Sequence, residues 1–393
     1  MSQFYDQASL VVVPSGYKAG TVYAQKPLTT DGQLAFTRTG DTATRVNSAG
    51  LLETVSANVP RLDYSGGATC PKLILEPQRT NRLTQSNNFT HADWASFASG
   101  TGSTAPVLTA NYTNSPFGSN NAWRLEATIG SSGFSLLQQS PFVSGQHTAS
   151  LWVKSNTGSN QSVYFRASTN TAPITVTPTW TRISVTEPNG DYLTIGLRDL
   201  AGQANVSIDI SIYAGQLEDG AYPTSIIPTT TASATRGKDN CIKTSASALI
   251  GQTEGTVFVE FKINGQDLSE DVYSNNKNLT GSISIQTTVS GQLLAFICYD
   301  GTFIQFATST GVIQIGQTYK VALAYKTGNS ALYLNGVQIA TSSTAFAFTT
   351  TLSEIDIAND TVLFAYLNNK NINQVLQFKT RLSNAELAQL TAL

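Results

Sequence analysis

The residues able to carry chemistry are few. His91 and His147 are the only histidines, and neither has a Cys or His at metal-ligand spacing. Catalytic zinc takes about three protein ligands, mostly His, so metal catalysis is not expected. Cys70, Cys241 and Cys298 are isolated and odd in number, which reads as buried free thiols rather than a disulfide framework. No G-x-S-x-G elbow accompanies the histidines. Glycoside hydrolysis needs two carboxylates flanking the scissile bond. Glu254, Glu260, Glu270 and Asp271 are the candidates, without a recognisable paired spacing. The expectation is a protein with no enzymatic activity and no required cofactor.

Sugar binding asks for something else: rings that stack on sugar C–H faces, and neutral polar groups that bond to hydroxyls. Residues 94–180 hold Trp94, Phe97, Trp123, Phe134, Trp152 and Trp180. Trp94, in a Gly/Ser-rich region, is the candidate platform. Trp152 alternates with Leu151 and Val153, so it faces away from the core and is expected to pack on the first part of the chain or on another subunit. Tyr273, Asn275, Asn276 and the Tyr299-Asp300-Gly301 turn are further candidates, although ordinary turn chemistry explains Asn and Asp equally well.

The elements that must hold these groups are strands. Helical periodicity is nearly absent, and short apolar runs alternate with Gly, Asn, Asp, Ser and Pro, as in sandwiches and barrels. Val206, Ile208, Ile210 and Ile212 alternate with polar residues, as do Val257, Val259, Phe261 and Ile263, the period of a half-buried strand. Asn335-Gly336, between Leu332/Leu334 and Val337/Ile339, predicts a tight hairpin, because both central residues of a type I′ turn need positive φ. Ser383 and Glu386 form a capping box for one short C-terminal helix, with Leu382 and Leu387 as its staple.

Three parts result. Residues 1–83 are irregular, with short strands such as 10–13 and 21–24 and too few regular apolar positions for a large core of their own. They are read as an anchoring or oligomerising segment. Their arginines, Arg38, Arg45, Arg61 and Arg79 (with Arg82), are either locally paired or buried forks between subunits, a role that suits the planar guanidinium. On this reading, deleting residues 1–83 leaves both following sandwiches folded. Residues 84–230 have the strand spacing of a jelly roll. A Thr/Ser-rich connector at 228–238 precedes the last part, 231–393. The fold class is all-β, with two antiparallel sandwiches after the N-terminal segment and a short C-terminal helix.

Composition narrows the partners. Charged residues are 12%, about half the usual ~25%, and net charge is −2 with no Lys/Arg run. That argues against nucleic-acid binding, which shows as a basic patch. No apolar run reaches the ~18 residues of a membrane span, so no membrane insertion is expected. The first residues lack a basic n-region, so synthesis in a cytoplasm is expected.

Three stretches carry a resemblance. Phe36-Thr37-Arg38 through Asn58-Val59-Pro60-Arg61-Leu62-Asp63-Tyr64, with Leu75-Glu76-Pro77-Gln78-Arg79-Thr80-Asn81, resembles the N-terminal segment of tailed-bacteriophage virion and appendage proteins. Gln216-Leu217-Glu218-Asp219-Gly220-Ala221-Tyr222-Pro223-Thr224-Ser225 with Ile227-Pro228-Thr229 is similar to the exit of a carbohydrate-binding-module-like jelly roll. Tyr319–Ile339 looks like the concanavalin A-like (laminin-G-type) sandwich. The resemblance implies a phage fibre or other surface appendage, made in the host bacterial cytoplasm and carried on the virion. Other virion proteins, a homotrimer and bacterial polysaccharide or mucin glycans are its implied partners. A purely structural capsid-decoration or tail-adaptor protein and a polysaccharide depolymerase are the alternatives. Sandwiches of these kinds often hold a structural calcium, and Asp209, Glu218 and Asp219 lie near the jelly-roll exit.

Overall fold

A computed structural model describes residues 2–141, 143–169, 172–276, 278–358 and 369–393. The chain forms two compact units, and neither is a continuous stretch. The first comprises Met1–Thr39, Val55–Gln78 and Gly237–Leu393, the second Gly40–Thr54 and Arg79–Arg236.

The first unit is a sandwich of two antiparallel sheets. One runs Val337–Ser342, Ser330–Leu334, Thr318–Lys326, Glu254–Gly265, Asn369–Phe378, Lys72–Leu75, Arg61–Asp63, with Leu10–Val12 also paired to Asn369–Phe378. The other runs Tyr17–Lys18, Thr21–Val22, Leu34–Thr37, Asn240–Lys243, Ile355–Ala358, Glu270–Asn275, Ser282–Thr287, Leu293–Tyr299, Thr302–Ala307. Val257, Val259, Phe261 and Ile263 enter the core between the sheets, as their alternation predicts. The opposite face of that strand, at Phe258, is covered by helices α1 (Ser2–Gln7) and α2 (Asn384–Thr391) through Phe4, Leu387 and Leu390. Asn335 and Gly336 both have positive φ, and Leu334 pairs with Val337. The capping box of α2 is formed by Ser383 and Glu386.

The second unit is a jelly-roll-type sandwich. Its five-stranded sheet runs Ala95–Ser99, Phe134–Gln139, Leu193–Arg198, Gln161–Arg166, Ile174–Val176. Its seven-stranded sheet runs Thr104–Thr113, Ala122–Thr128, Ser207–Asp219, His147–Ser155, Thr181–Glu187, joined at one side by Arg79–Asn81 and Ala234–Arg236. Leu151, Val153, Val163, Phe165, Ile195, Leu197, Ile208, Ile210 and Ile212 fill the space between them. Trp152 lies on the far side of its sheet, edge-on to Phe117 at 5.5 Å and in a cluster that includes Leu52. Trp152 thus packs on a cluster of its own unit against which the first-part residue Leu52 also packs.

The expected segment 1–83 is not a unit of this structure. Its residues divide between both sandwiches because its short strands complete sheets begun elsewhere in the chain. Leu10, Val12, Leu34, Phe36, Leu62, Leu73 and Leu75 belong to the core of the first unit. Removing residues 1–83 is therefore expected to unfold that unit rather than spare it, since several Leu→Ala-scale losses of about 2–5 kcal/mol each fall on one core. Hydrogen exchange checks this: amides of Glu254–Gly265 should lose protection in the truncated chain, and full protection would contradict it.

Candidate functional site

The tryptophan read as a sugar platform is a core residue. Trp94 is 6% exposed, packs on Phe89 at 5.0 Å between ring centroids, and donates from Nε1 to the Gln85 carbonyl at 2.8 Å. A Gly/Ser-rich neighbourhood does not make a residue accessible when the loop folds back onto the sandwich. Tyr273 and Asn275 are also internal. The Tyr273 hydroxyl donates to Gln377 Oε1 at 2.7 Å and accepts from Asn275 Nδ2 at 2.7 Å. Burial, first of all, pushes that hydroxyl well above the usual phenol range. Asn276 is a loop clamp with positive φ. It accepts from the Ser353 and Glu354 amides and donates to the Thr351 carbonyl. Tyr299 packs against the core edge and on Phe346. Asp300 is exposed, but Asp300 and Gly301 both have positive φ and form the two-residue hairpin closing Tyr299 on Thr302. Four of the six candidates are thus shut from solvent, and the other two serve a turn.

The arginines read as inter-subunit anchors have partners in their own unit. Asp239 lies between two of them. Its Oδ1 meets Arg38 Nη1 at 3.2 Å, and its Oδ2 bonds to Arg61 Nη2. Arg61 also reaches Glu76 at 2.7 Å, and Arg38 donates to the Val59 and Ser56 carbonyls at 3.0 and 2.7 Å. Burial pulls the Arg61 guanidinium down, yet the charges of Asp239 and Glu76 outweigh it and hold the group fully protonated. In the second unit Arg45 bonds to Glu53 at 2.6 Å, and Arg79 lies over the Tyr222 ring at 4.9 Å.

The carboxylates read as a metal or catalytic set are dispersed. Arg124 grips Asp209 at 2.9 and 2.7 Å, and Asn156 adds a bond at 2.8 Å. Glu218 accepts from the Thr224 amide, and Asp219 from Arg82 and His147. Among the described residues no three His, Cys, Asp or Glu side chains converge as a metal site. Glu254 pairs with Lys326 and Glu260 accepts from Asn373. These two glutamates lie six residues apart on one strand, about 20 Å at the usual rise, far beyond the ~5–9.5 Å between glycosidase carboxylates. Asp271 is buried, and the side chain of Glu270 lies outside the described residues. Cys241 and Cys298 are buried, as the sequence suggests, but Cys70 is exposed.

A different face brings together what a sugar needs. On the five-stranded sheet of the second unit, Val163, Phe165, Ile195, Leu197 and Leu137 point into the core. Their neighbours therefore point outward. The pairings align Phe97, Leu136, Gly196 and Tyr164 in one row across four strands. A second row holds Ser99, Phe134 and Arg198, and a third Ala95, Gln138, Thr194 and Arg166. Phe97 is 43% exposed and Phe134 half-buried. Thr194 donates to Gln138 at 2.9 Å. Gly196 leaves the centre of the face without a side chain, and a Cβ there would stand 2.1 Å from the Ser135 carbonyl oxygen. The guanidinium of Arg166 lies 4.6 Å from the Tyr192 ring centroid and 5.5 Å from that of Tyr164, and Arg198 lies 5.8 Å from Tyr164. Period-2 alternation in 161–166 and 193–198 is the signal that could have found these residues. Only Phe97 and Phe134 stood among the aromatics noted in the sequence.

Two other surfaces compare less well. In the first unit Phe303 is exposed beside Phe296, 6.3 Å edge-on, with Ser284 and Gln305 in register. A cavity of about 600 Å³ borders α1 and α2, lined by Phe4, Phe258, Leu376 and Leu390. Its lining is mainly apolar, whereas sugar hydroxyls need bonding partners.

Residues 236–388, nearly all of them in the first unit, match the family model of the concanavalin A-like lectin/glucanases superfamily. No curated protein matches the chain. Among solved structures, the CBM40 of Ruminococcus gnavus IT-sialidase bound to α2,3-sialyllactose is similar at 20% identity and TM-score 0.32, over 38% of this chain and 87% of that one. A heptameric SAP-like pentraxin from Limulus polyphemus is similar at 15% identity and TM-score 0.28, over 34% of this chain and 68% of that one. The binding domain of Botulinum neurotoxin DC, solved with rat synaptotagmin II, is similar at 16% identity and TM-score 0.33, over 39% of each chain.

Proposed function

We propose that the protein is a non-catalytic glycan-binding adhesin of a tailed-bacteriophage virion, carried on a fibre or other surface appendage, and that the outer face of the five-stranded sheet holds the sugar. The observation that carries the site is the face itself. An exposed ring at Phe97 and the partly exposed polar groups of Gln138 and Arg166 share one side of one sheet, over a closed floor that includes Gly196 and Thr194. Rings supply the stacking surface and polar groups fix the orientation. The placement on a virion rests on the resemblance of 36–64 and 75–81 to phage proteins. Repeated copies, a trimer by that resemblance, would raise weak single-site binding through avidity.

A glycan array with the intact protein tests the binding. Phe97→Ala should weaken the best hit about three- to tenfold, the equivalent of ~0.5–1.5 kcal/mol of ring contact, while Phe303→Ala leaves it unchanged. The reverse pattern would move the site to the concanavalin A-like domain. Absence of binding to any bacterial or mucin glycan would favour the structural alternative, a capsid-decoration or tail-adaptor role. Release of reducing ends from host polysaccharide would favour a depolymerase. Mass spectrometry of purified virions decides the placement, and absence of the chain from them would refute it.

A further inference from the structure

We infer that the sugar bound on the five-stranded sheet is acidic, a carboxylated glycan whose carboxylate sits between Arg166 and Arg198. This deepens the preceding reading and rests on it.

Three other arginines of this unit are matched to carboxylates. Arg45 reaches Glu53, Arg82 reaches Asp219, and Arg124 grips Asp209 with two parallel bonds. Among the described residues no carboxylate lies within 4.0 Å of Arg166 or Arg198. Two acids nearby are engaged elsewhere: Glu187 accepts from Thr169 Oγ1 at 2.8 Å, and Asp199 from the Ser132 amide at 2.7 Å. Arg166 makes one bond, to the Ser168 carbonyl at 3.3 Å, and its Nε is enclosed without a hydrogen-bond partner.

Position adds to charge. Tyr164 is closed to solvent beneath the two guanidiniums, which stay partly exposed. Rings under a guanidinium fix its plane and lower the entropy lost when a ligand binds. The hydroxyl of Tyr192, whose ring carries Arg166, is itself tied to the Ser168 carbonyl. Two oriented cations beside Tyr164, without a carboxylate partner, offer charge-assisted bonds to a planar anion. A neutral sugar closing over them would desolvate both charges and return only neutral hydrogen bonds. The adjoining surface is not that of a nucleic-acid site, since Phe97 and Gln138 complete it and the whole chain carries −2. The row from Phe97 to Tyr164 crosses three strand spacings, roughly 14 Å, so an acidic oligosaccharide with one ring on Phe97 and a carboxylate at the arginines would span the face.

The test uses the full chain and a panel of uronate- and sialate-containing polymers, each paired with its carboxyl-reduced neutral form. Carboxyl reduction should lower affinity about tenfold or more, the scale of lost charge-assisted bonds. Arg166→Gln and Arg198→Gln should each give a similar loss on the acidic form and little change on the reduced one. Raising sodium chloride from 0.05 to about 0.5 M should weaken binding of the acidic form alone, because the guanidiniums are partly exposed. Equal binding of acidic and reduced forms, lost in Phe97→Ala, would overturn the carboxylate while leaving the sugar face intact. No binding to any member of the panel would overturn both. The ligand-side comparison needs no variant, so a misfolded protein cannot mask the answer.

Discussion

Replacing Asp239 by alanine should destabilise the first unit by about 3–5 kcal/mol, the usual cost of removing one partner from a buried ion network. Asp239 is fully enclosed, as are Arg38 and Arg61 on either side of it. It also accepts from the Glu76 amide at 2.9 Å. Alanine would remove the carboxylate that both interior guanidiniums bond to. Asp239→Asn keeps the shape and loses the charge, so it should fall between. Denaturant unfolding followed by far-UV circular dichroism measures the change. Tryptophan emission is a control, because Trp94, Trp123, Trp152 and Trp180 all belong to the second unit. A loss below about 1 kcal/mol, the range of exposed pairs, would show that Asp239 is not the hub of this network.

Gly196→Ala should cost on the order of 3 kcal/mol. The residue has φ +151, a region almost reserved for glycine. The added methyl would also meet the Ser135 carbonyl oxygen at 2.1 Å. That oxygen belongs to the neighbouring strand, so relief requires the strands Phe134–Gln139 and Leu193–Arg198 to part, at the upper end of the ~1–3 kcal/mol of overpacking. Gly215→Ala is the matched control. Its nearest neighbour would be Leu83 at 3.4 Å, ordinary contact. Tryptophan-detected unfolding of both variants gives the comparison. Equal stabilities would mean that the centre of the face can yield, and that its bare floor is not enforced by the backbone.

Strand content, the two sandwiches, the Asn335-Gly336 hairpin and the Ser383 cap were legible, because each follows from a short-range pattern. Partner choice between distant segments was not. Arg38, Arg61, Glu76 and Asn81 stand out as polar punctuation among short strands, and isolated polar residues suggest contacts with another molecule. Their partners lie far along the same chain: Asp239 for the two arginines, and the Ile227 carbonyl with the Leu217 amide for Asn81. Glu218, Thr224 and Arg236 form a similar buried set in the second unit. The stretches that resemble phage proteins therefore act, within this chain, as clasps that close sandwiches. Trp94 misled for a related reason, since loop composition gives no information on which way a ring turns.

The chain passes between the two units at residues 39/40, 54/55, 78/79 and 236/237. A ribosome delivers such a chain out of order. Everything the second unit needs has left the exit tunnel soon after residue 236, so it can close while synthesis continues. The strand Lys72–Leu75 must wait for Asn369–Phe378, nearly three hundred residues later. At 5–20 residues per second that is roughly 15–60 s with an apolar edge unpaired. Tunnel-side timing, more than final stability, would then set how much of this protein reaches its folded form, and slow codons between residues 237 and 369 would lengthen the exposure.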